Sequence, residues 1–337
     1  MNNNVWFERD ILASYAPRLD KSITVLGPGS ATPDNRLQAI GDAQVIVAGG
    51  LHYTAEVMAQ VPNLLMIVRL GIGYDRVDVD AATAAGVAVC NTPDGPTIST
   101  AECAITLMMG VARSMRQIDL KLRRVLADGG KRNFYGEYRG YELYGKQMGL
   151  VGCGRIGSHV AKIAQGLGMK VAAYDPYCPL EKAAEADIDL VDSMEKLLGM
   201  SDVVSLHLPL NDATHKIMNA ERFAQMKKGA IFINTARGGH VDEEALLEVI
   251  ENGHLWGAGL DVTEPEPPLP TSPLMTYENV IITPHVASAT FAGKLRIYEL
   301  AMEQVMMVLR GERPHSILNP DVWSRVREKW EAQQAGS

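Results

Sequence analysis

Four side chains in the C-terminal half of the chain could together bind an anion and transfer a proton. Each follows a short apolar segment: Arg237 follows residues 231–233, Glu264 and Glu266 follow residues 257–260, and His285 follows residues 280–283. Short apolar segments separated by helical patterns predict parallel β-strands. Because ligands bind beyond the carboxyl ends of such strands, we expect Arg237, one of the glutamates and His285 to lie at one edge of a sheet.

This set of side chains suits the reversible transfer of a hydride to a 2-oxo acid. Arg237 could hold the substrate carboxylate by two parallel hydrogen bonds and polarise the ketone. His285 could donate a proton to the carbonyl oxygen as the hydride arrives, and a glutamate beside it would stabilise the charged imidazolium. Each residue alone could instead be a surface arginine, a solvated glutamate or a structural histidine. Together, at the ends of neighbouring strands, they predict a functional site.

A glycine-rich turn predicts where the hydride carrier binds. An apolar strand leads into Gly152-Cys153-Gly154-Arg155-Ile156-Gly157, which is followed by a helix and by a second strand that ends before Asp175. The three glycines permit a tight turn, the approach of a pyrophosphate and close packing of the helix on the strand. Asp175 is placed to accept hydrogen bonds from a ribose, and no Arg or Lys follows it before Lys182 to bind a 2′-phosphate. We therefore expect NAD (NADH) rather than NADP, although a glycine-rich turn alone is a weak signal.

The elements that must position these residues alternate between strands and helices. The apolar patterns predict strands at 5–7, 23–26, 43–48, 64–70, 87–90, 148–151, 170–174, 203–206, 230–233, 257–260 and 280–283. They predict helices at 9–19, 54–59, 80–85, 104–124, 222–228, 243–252 and 295–309. This alternation is typical of the α/β class, with a six- or seven-stranded doubly wound parallel sheet from about residue 146 onward. The polar tail from Ser324, apart from Trp330, predicts a segment that is mobile or lies on a neighbouring molecule.

Length and composition limit the classes of function. A chain of 337 residues predicts about two domains, and 47% hydrophobic with 21% charged residues is typical of globular proteins. The net charge of −8 argues against nucleic acid or an anionic membrane as a partner. The scattered cysteines Cys90, Cys103, Cys153 and Cys178 suggest neither a metal site nor a disulfide framework. Without a signal-peptide pattern or a long apolar run, we expect a cytoplasmic protein.

Taken together, the motifs resemble the D-isomer-specific 2-hydroxyacid dehydrogenase family over nearly the full chain. The resemblance rests on residues 71–75 (GIGYD), the turn 152–157, residues 206–210 (LHLPL), residues 234–239 (NTARGG), residues 259–262 (GLDV) and residues 283–285 (TPH). It implies two Rossmann-like domains, with the NAD-binding domain at 103–289 inserted in a flavodoxin-like substrate domain made of 1–102 and 290–337. It also implies a catalytic cleft between the domains.

The resemblance assigns further roles to individual residues. It implies Arg237, Glu266 and His285 as the catalytic residues, with Glu266 rather than Glu264 as the partner of the histidine. It implies substrate binding by the N–H groups of Ile72 and Gly73, together with Arg237 and His285. For the cofactor it implies the residues Gly152, Gly154, Arg155, Ile156, Gly157, Asp175, Leu208, Pro209, Thr235, Ala236 and Asp261.

Two departures from the family pattern and several alternatives stay open. His240 stands where aliphatic residues are common, and we expect it to lie near the site without acting in it. Residues 94–100 form an uncommon version of their loop, which leaves the substrate's identity open. A phosphite- or formate-type dehydrogenase is one alternative, although the formate branch pairs its histidine with glutamine. An NADH-sensing binding protein is another, and the absence of a long regulatory extension argues against it. The apolar helix from Ala104 and the resemblance together predict a homodimer.

Overall fold

The computed structural model describes residues 3–27 and 40–335, which form two compact units. The first unit contains residues 1–96 and 289–337, and the second contains residues 97–288. The second unit is therefore an insertion between the two segments of the first. It begins at residue 97, six residues before the expected start, because the helix expected to begin after residue 102 begins at Thr97 and belongs to the second unit. It ends at residue 288, one residue before the expected end.

Twelve strands and eleven α-helices are found in the described residues. The strands are β1 (Asn3–Phe7), β2 (Ile23–Leu26), β3 (Val45–Ala48), β4 (Met66–Arg69), β5 (Ala88–Cys90), β6 (Gln147–Val151), β7 (Lys170–Tyr174), β8 (Asp189–Leu190), β9 (Val203–Leu206), β10 (Ile231–Asn234), β11 (Gly257–Leu260) and β12 (Val280–Ile282). The helices are α1 (Ala55–Ala59), α2 (Val79–Ala84), α3 (Thr97–Ala112), α4 (Met115–Ala127), α5 (Arg155–Gly166), α6 (Leu180–Glu185), α7 (Met194–Met200), α8 (Ala220–Gln225), α9 (Glu243–Glu251), α10 (Phe291–Leu309) and α11 (Trp323–Ala335).

The first unit is built on a parallel sheet of five strands in the order β2-β1-β3-β4-β5. This is the flavodoxin-like order. Strand β3 is buried on both faces because helices cover both sides of a parallel sheet, which explains its uninterrupted apolar sequence. Helix α10 packs on one face through a stripe of buried residues that includes Ala301, Val305 and Val308.

The second unit is a parallel sheet of seven strands in the order β12-β11-β10-β9-β6-β7-β8. The chain runs outward from β6 in both directions, so the order reverses between β6 and β9. This reversal is the topological switch point at which open α/β sheets bind their ligands. The predicted α/β fold, with a doubly wound parallel sheet in the second unit, is confirmed. Strand β8 and helices α6 and α7 were not predicted.

The predicted helix at 9–19 is wrong. The chain forms turns there, followed by a 3₁₀-helix at Ala16–Arg18. Pro17 explains the difference, because proline lacks an N–H group and disfavours the helical conformation of the residue before it.

The single long helix predicted at 104–124 is divided into α3 and α4. Ser114 interrupts it with a φ of 47°, in the left-handed region. Helix α3 buries ten of its residues, whereas α4 buries none completely. The break therefore separates a mostly buried helix from a mostly exposed one.

The C-terminal segment is also better ordered than its polarity predicts. Residues from Trp323 form α11, in which Val326 is 1% exposed. The indole Nε1 of Trp330 donates to the Leu309 carbonyl at 3.0 Å, and its ring packs on the core of the first unit. The prediction of a mobile tail is therefore wrong for residues 324–335. Polar side chains of the helix anchor it as well, since Nζ of Lys329 donates to the Ala85 carbonyl at 2.9 Å and the Gln333 amide donates to the Asn63 carbonyl at 2.9 Å. No helix in the described parts of the chain is long and apolar enough to cross a membrane.

Candidate active site

The glycine turn connects β6 to α5 at the switch point of the second unit. Gly157 lies so close to the turn that an added Cβ would collide with the carbonyl oxygen of Gly152. An added Cβ on Gly154 would instead meet no described atom within 4 Å. Gly154 precedes the first turn of α5, where unpaired N–H groups and the helix dipole favour an anion. The turn therefore has the close packing at Gly157 and the open face at Gly154 that a pyrophosphate requires.

Asp175 lies directly beside this turn, as its position at the end of β7 predicted. One oxygen of its carboxylate accepts from the Cys153 N–H at 3.0 Å, and the other accepts from the Tyr177 N–H at 2.9 Å. These bonds fix the carboxylate next to the turn, where a ribose would be bound. Its contact with the ribose stays a prediction.

The segment after β10 is folded around the side chain of Asn234. Its amide donates to the Arg237 carbonyl at 2.8 Å, and its oxygen accepts from the Ala236 N–H at 3.0 Å. Arg237 in turn donates from Nη1 to the Ala236 carbonyl at 2.7 Å. The hydroxyl oxygen of Thr235 is buried and has no hydrogen-bond partner among the described residues. Such an atom fits a site that is completed by a cofactor, since buried polar groups are normally paired.

His285 and Glu266 form a close pair. The ring Nδ1 of His285 lies 2.6 Å from Oε1 of Glu266. Glu264 points elsewhere, with Oε2 at 3.8 Å from Nε2 of His215. The structure thus shows the expected pairing with Glu266, while the catalytic roles of the two residues stay predictions. Because Nδ1 faces the carboxylate, Nε2 is the ring nitrogen available to a substrate.

Asp261 holds the segment that carries His285. Its carboxylate accepts from the Thr283 hydroxyl at 2.5 Å, from the Val286 N–H at 2.9 Å and from the Ala287 N–H at 2.8 Å. His285 itself has a φ of 52°, a left-handed conformation that is unusual for a residue with a side chain. Its N–H donates to the Asp261 carbonyl at 2.8 Å. Asp261 was expected to contact the cofactor. Its carboxylate oxygens already accept from these internal donors, and the cofactor contact stays a prediction.

The segments that carry Arg237 and Glu266 pack directly on each other. A Cβ on Gly238 would collide with the backbone of Thr263 and Glu264. Glu243, the first residue of α9, accepts the Glu264 N–H at 2.9 Å. Burial, and then the nearby Glu264 carboxylate, raise the pKa of Glu243 above its ordinary value. Two strand ends are therefore joined by glycine packing and by one carboxylate–backbone bond.

His207 follows β9 and lies beneath the glycine turn. Its Nε2 is 2.9 Å from the Ser205 hydroxyl, and its N–H donates to the Val151 carbonyl at 2.8 Å. Burial lowers the pKa of His207 to about 3, so the ring is neutral near neutral pH. Leu208 and Pro209 continue from it, and the Pro209 carbonyl accepts from the Thr214 hydroxyl at 2.7 Å. The sequence placed His207 in a motif but gave it no role.

His240 is fully buried in the 3₁₀-helix Gly238–His240, immediately after Arg237. The expectation that it lies near the site but does not act in it stays a prediction. No group of His, Cys, Asp or Glu suited to a metal ion occurs in residues 3–27 and 40–335.

The first unit carries the remaining predicted residues, Ile72 and Gly73, in the turn after β4. Each carbonyl group of this turn accepts a hydrogen bond. The Gly71 carbonyl accepts from the Thr92 N–H at 3.0 Å, the Ile72 carbonyl from the Asn91 amide at 2.8 Å, and the Gly73 carbonyl from Nε of Arg69 at 3.1 Å. Among the described residues no acceptor is recorded for the N–H groups of Ile72 and Gly73. A turn with fixed carbonyls and two available N–H groups can bind a small anion.

Comparison with known proteins agrees with this arrangement. The family model for the NAD binding domain of D-isomer specific 2-hydroxyacid dehydrogenases matches residues 105–287. D-3-phosphoglycerate dehydrogenase of Methanocaldococcus jannaschii is 40% identical over 289 residues, which cover 86% of this chain and 54% of that relative. Glyoxylate reductase of Korarchaeum cryptofilum is 39% identical over 270 residues, 80% of each protein.

A crystal structure of a protein from Thermus thermophilus superimposes with a TM-score of 0.84 at 36% identity, covering 94% of this chain and 99% of the other. The chain spans about half the length of the phosphoglycerate dehydrogenases that it matches. The second unit is an NAD binding domain, as its turn and sheet order predicted. The whole chain belongs to the D-isomer specific 2-hydroxyacid dehydrogenase family.

Proposed function

We propose that this protein catalyses the reversible NAD-dependent reduction of a small 2-oxo acid to its D-2-hydroxy acid. The observation that carries the proposal is the His285–Glu266 pair at 2.6 Å, located beyond the carboxyl ends of the same parallel sheet as the glycine turn. A histidine oriented by a carboxylate at this position is suited to proton transfer with a substrate oxygen.

Each residue has a defined part in the proposed reaction. NADH, when bound, supplies the hydride. Arg237 binds the substrate carboxylate and polarises the ketone, because a guanidinium offers paired donors. His285 donates a proton from Nε2 to the carbonyl oxygen, and Glu266 stabilises the imidazolium through Nδ1. In the reverse direction the neutral ring accepts the hydroxyl proton.

The cofactor would be held by residues of the second unit. Gly152, Gly154, Arg155, Ile156 and Gly157 would form the pyrophosphate site, Asp175 would bind the ribose, Leu208 and Pro209 would line the adenosine side, and Thr235, Ala236 and Asp261 would serve the nicotinamide side. The buried Thr235 hydroxyl and the open face of Gly154 support this assignment. In the first unit, the N–H groups of Ile72 and Gly73 would bind the substrate carboxylate.

We also propose a cytoplasmic homodimer with small anionic 2-oxo or 2-hydroxy acids as its ligands. The four cysteines are free, as a reducing compartment favours. The excess of acidic residues disfavours nucleic acid and membrane surfaces as partners. Helix α4 supports the dimer, because Met115, Leu122 and Leu126 expose 56%, 43% and 60% of their surface. The apolar half of α3, from which a dimer was expected, is instead buried in the core of its own unit.

An absorbance assay of NADH tests the proposal. The purified protein should oxidise NADH with glyoxylate or 3-hydroxy-2-oxopropanoate and should use NADPH far less well, because Asp175 repels a 2′-phosphate. Formate and phosphite with NAD⁺ are the comparison substrates for the alternative anion oxidation. Tight NADH binding by fluorescence without turnover of any 2-oxo acid would support the sensing protein and refute the dehydrogenase.

A further inference from the structure

We propose that Asn91 is a positioning residue for the substrate. Its side chain sets the direction of one of the two N–H groups that would bind the substrate carboxylate, and Gln304 on α10 holds Asn91 in place. The proposal rests on the proposed function, because it concerns the turn at Ile72 and Gly73. Asn91 directly follows β5, and this turn follows the neighbouring strand β4. All of these residues belong to the first unit.

The geometry of the peptide group connects Asn91 to an N–H group of the turn. The Ile72 carbonyl and the Gly73 N–H belong to one planar peptide group, so they point in opposite directions. The Asn91 amide donates to the Ile72 carbonyl at 2.8 Å, and this bond therefore sets the direction of the Gly73 N–H. The Thr92 N–H acts in the same way on the preceding peptide group, because it donates to the Gly71 carbonyl at 3.0 Å. Residues 91 and 92 thus orient both N–H groups.

Both of these residues are buried, with 5% of Asn91 and 0% of Thr92 exposed. Burial restricts the Asn91 side chain to few rotamers, so its amide is held against the turn before a substrate arrives. A turn that is oriented in advance loses less conformational entropy on binding, which increases its affinity for a carboxylate. Removal of the Asn91 amide should therefore weaken substrate binding more than the reaction step.

Gln304 connects Asn91 to helix α10. Its side chain is 3% exposed, within the apolar stripe by which α10 packs on the sheet. Its Nε2 donates to the Asn91 carbonyl at 2.9 Å, and its Oε1 accepts from the Ser316 N–H at 3.1 Å. The Asn91 N–H donates to the Ser316 carbonyl at 3.4 Å. The backbone of Asn91 is therefore fixed by the helix and by residue 316, while its side chain fixes the turn.

Asn319 shows what a buried asparagine does when it supports the fold alone. It is 8% exposed, accepts from the Val89 N–H at 2.8 Å and donates to the Val87 carbonyl at 3.0 Å. None of its hydrogen bonds to the described residues reaches residues 71–73. It is therefore the matched control for Asn91, since both are buried asparagines of the same unit that bind the backbone.

Steady-state kinetics with one accepted 2-oxo acid and NADH test the proposal. Asn91→Ala should raise KM for the acid by roughly three- to tenfold, the usual effect of one neutral hydrogen bond, while kcat stays within about twofold of the wild type. NADH affinity, measured by fluorescence titration, should be unchanged, because the NAD binding domain is the second unit. Asn319→Ala should lower the melting temperature without raising KM.

A double-mutant cycle tests the part of Gln304. Gln304→Met keeps the approximate volume and removes the amide, so KM should rise by roughly two- to fivefold. The double variant Asn91→Ala with Gln304→Met should have the KM of Asn91→Ala alone, because Gln304 acts on the turn through Asn91. Glu303→Met, at the exposed neighbouring position on α10, should keep the wild-type KM.

The outcomes separate this proposal from the proposed function. A wild-type KM in Asn91→Ala, or an equal rise in Asn319→Ala, would overturn the positioning role and leave the dehydrogenase activity established. Additive effects of the substitutions at 91 and 304 would also overturn it, since they would act independently. If Asn91→Ala does not fold, the KM values of Gln304→Met and Asn319→Ala decide in the same way. Activity of the wild type with no 2-oxo acid would refute the proposed function itself.

Discussion

At the scale of single residues, the proposed chemistry depends on which ring nitrogen of His285 faces the protein. Nδ1 lies against Glu266, which leaves Nε2 for the substrate oxygen. The positive φ of His285 is held by hydrogen bonds to Asp261, a conformation that the structure maintains locally at some energetic cost. Such an arrangement orients the ring before a substrate arrives.

The first prediction concerns proton donation. His285→Ala should lower kcat by roughly 10²-fold or more, because proton transfer matters mainly as charge develops on the carbonyl oxygen. NADH affinity, measured by fluorescence titration, should be almost unchanged. His315→Ala, which removes an exposed histidine of the first unit, is the control. A variant with full activity would show that another group donates the proton.

The second prediction separates the two glutamates. Glu266→Gln should move the basic limb of the pH profile for reduction to lower pH, because the imidazolium loses the carboxylate that stabilises its charge. Glu264→Gln should leave that limb in place, since Glu264 contacts His215 instead. The two profiles are compared with one accepted 2-oxo acid. A shift in Glu264→Gln alone would show that the pairing with Glu266 has no catalytic role.

At the scale of elements, the connections after neighbouring strands support one another. Gly238 packs on the backbone of the segment after β11. The carboxylate of Glu243, at the start of α9, accepts a hydrogen bond from the Glu264 N–H of the same segment. The positions of Arg237 and Glu266 are therefore coupled through backbone contacts. A change in either connection should affect both side chains.

The third prediction tests this coupling. Glu243→Ala removes the acceptor of the Glu264 N–H, so the segment that carries Glu266 should loosen and kcat should fall by about three- to tenfold. Glu243→Gln keeps an acceptor oxygen and should restore most of the rate. Glu244→Ala, at the exposed neighbouring position, is the matched control. If all three variants have the kcat and pH profile of the wild type, Glu243 does not position the site.

The fourth prediction concerns acid stability and follows from His207. Its pKa is about 3 in the folded protein, below the ordinary value of about 6.5. At pH values between these two pKa values, His207 is protonated in the unfolded chain and neutral in the folded chain. The free energy of unfolding therefore falls as the pH decreases through this range.

His207→Gln should reduce this fall, because glutamine does not titrate. The measurement is the urea midpoint at pH 7 and at about pH 5. His159→Gln, at an exposed position on α5, should keep the wild-type dependence. An identical pH dependence in His207→Gln would show that burial of this ring is not linked to acid lability.

At the scale of the whole molecule, the fifth prediction is a twofold symmetric homodimer that buries the apolar side chains of α4. Light scattering should give twice the monomer mass at micromolar concentration. Leu122→Glu combined with Leu126→Glu should give a monomer, because two charges would be buried in the interface. Leu180→Glu, at another leucine that is 76% exposed, should leave the dimer intact. A wild-type monomer at these concentrations would refute the assembly.

The sequence by itself determined the fold class, the glycine turn and the strand ends that carry Arg237 and His285. These features are local, because apolar segments of strand length and glycines at fixed spacing constrain the backbone wherever they occur. The same local rules failed where one residue decides the conformation. Pro17 prevents the helix predicted at 9–19, and Ser114 divides the helix predicted at 104–124.

The tertiary structure decided contacts that the local sequence patterns left open. His285 lies next to Glu266, 19 residues away in sequence; the strand pattern allowed either glutamate, and only the family resemblance favoured Glu266 over Glu264. The Gln304 amide donates to a carbonyl group 213 residues earlier in the chain, which no periodic pattern could show. The polar C-terminal segment forms an ordered helix, because Trp330 donates a hydrogen bond to the Leu309 carbonyl and packs on the core of the first unit. Such contacts depend on the directions in which connections leave the sheet, and those directions are set by packing across the whole unit.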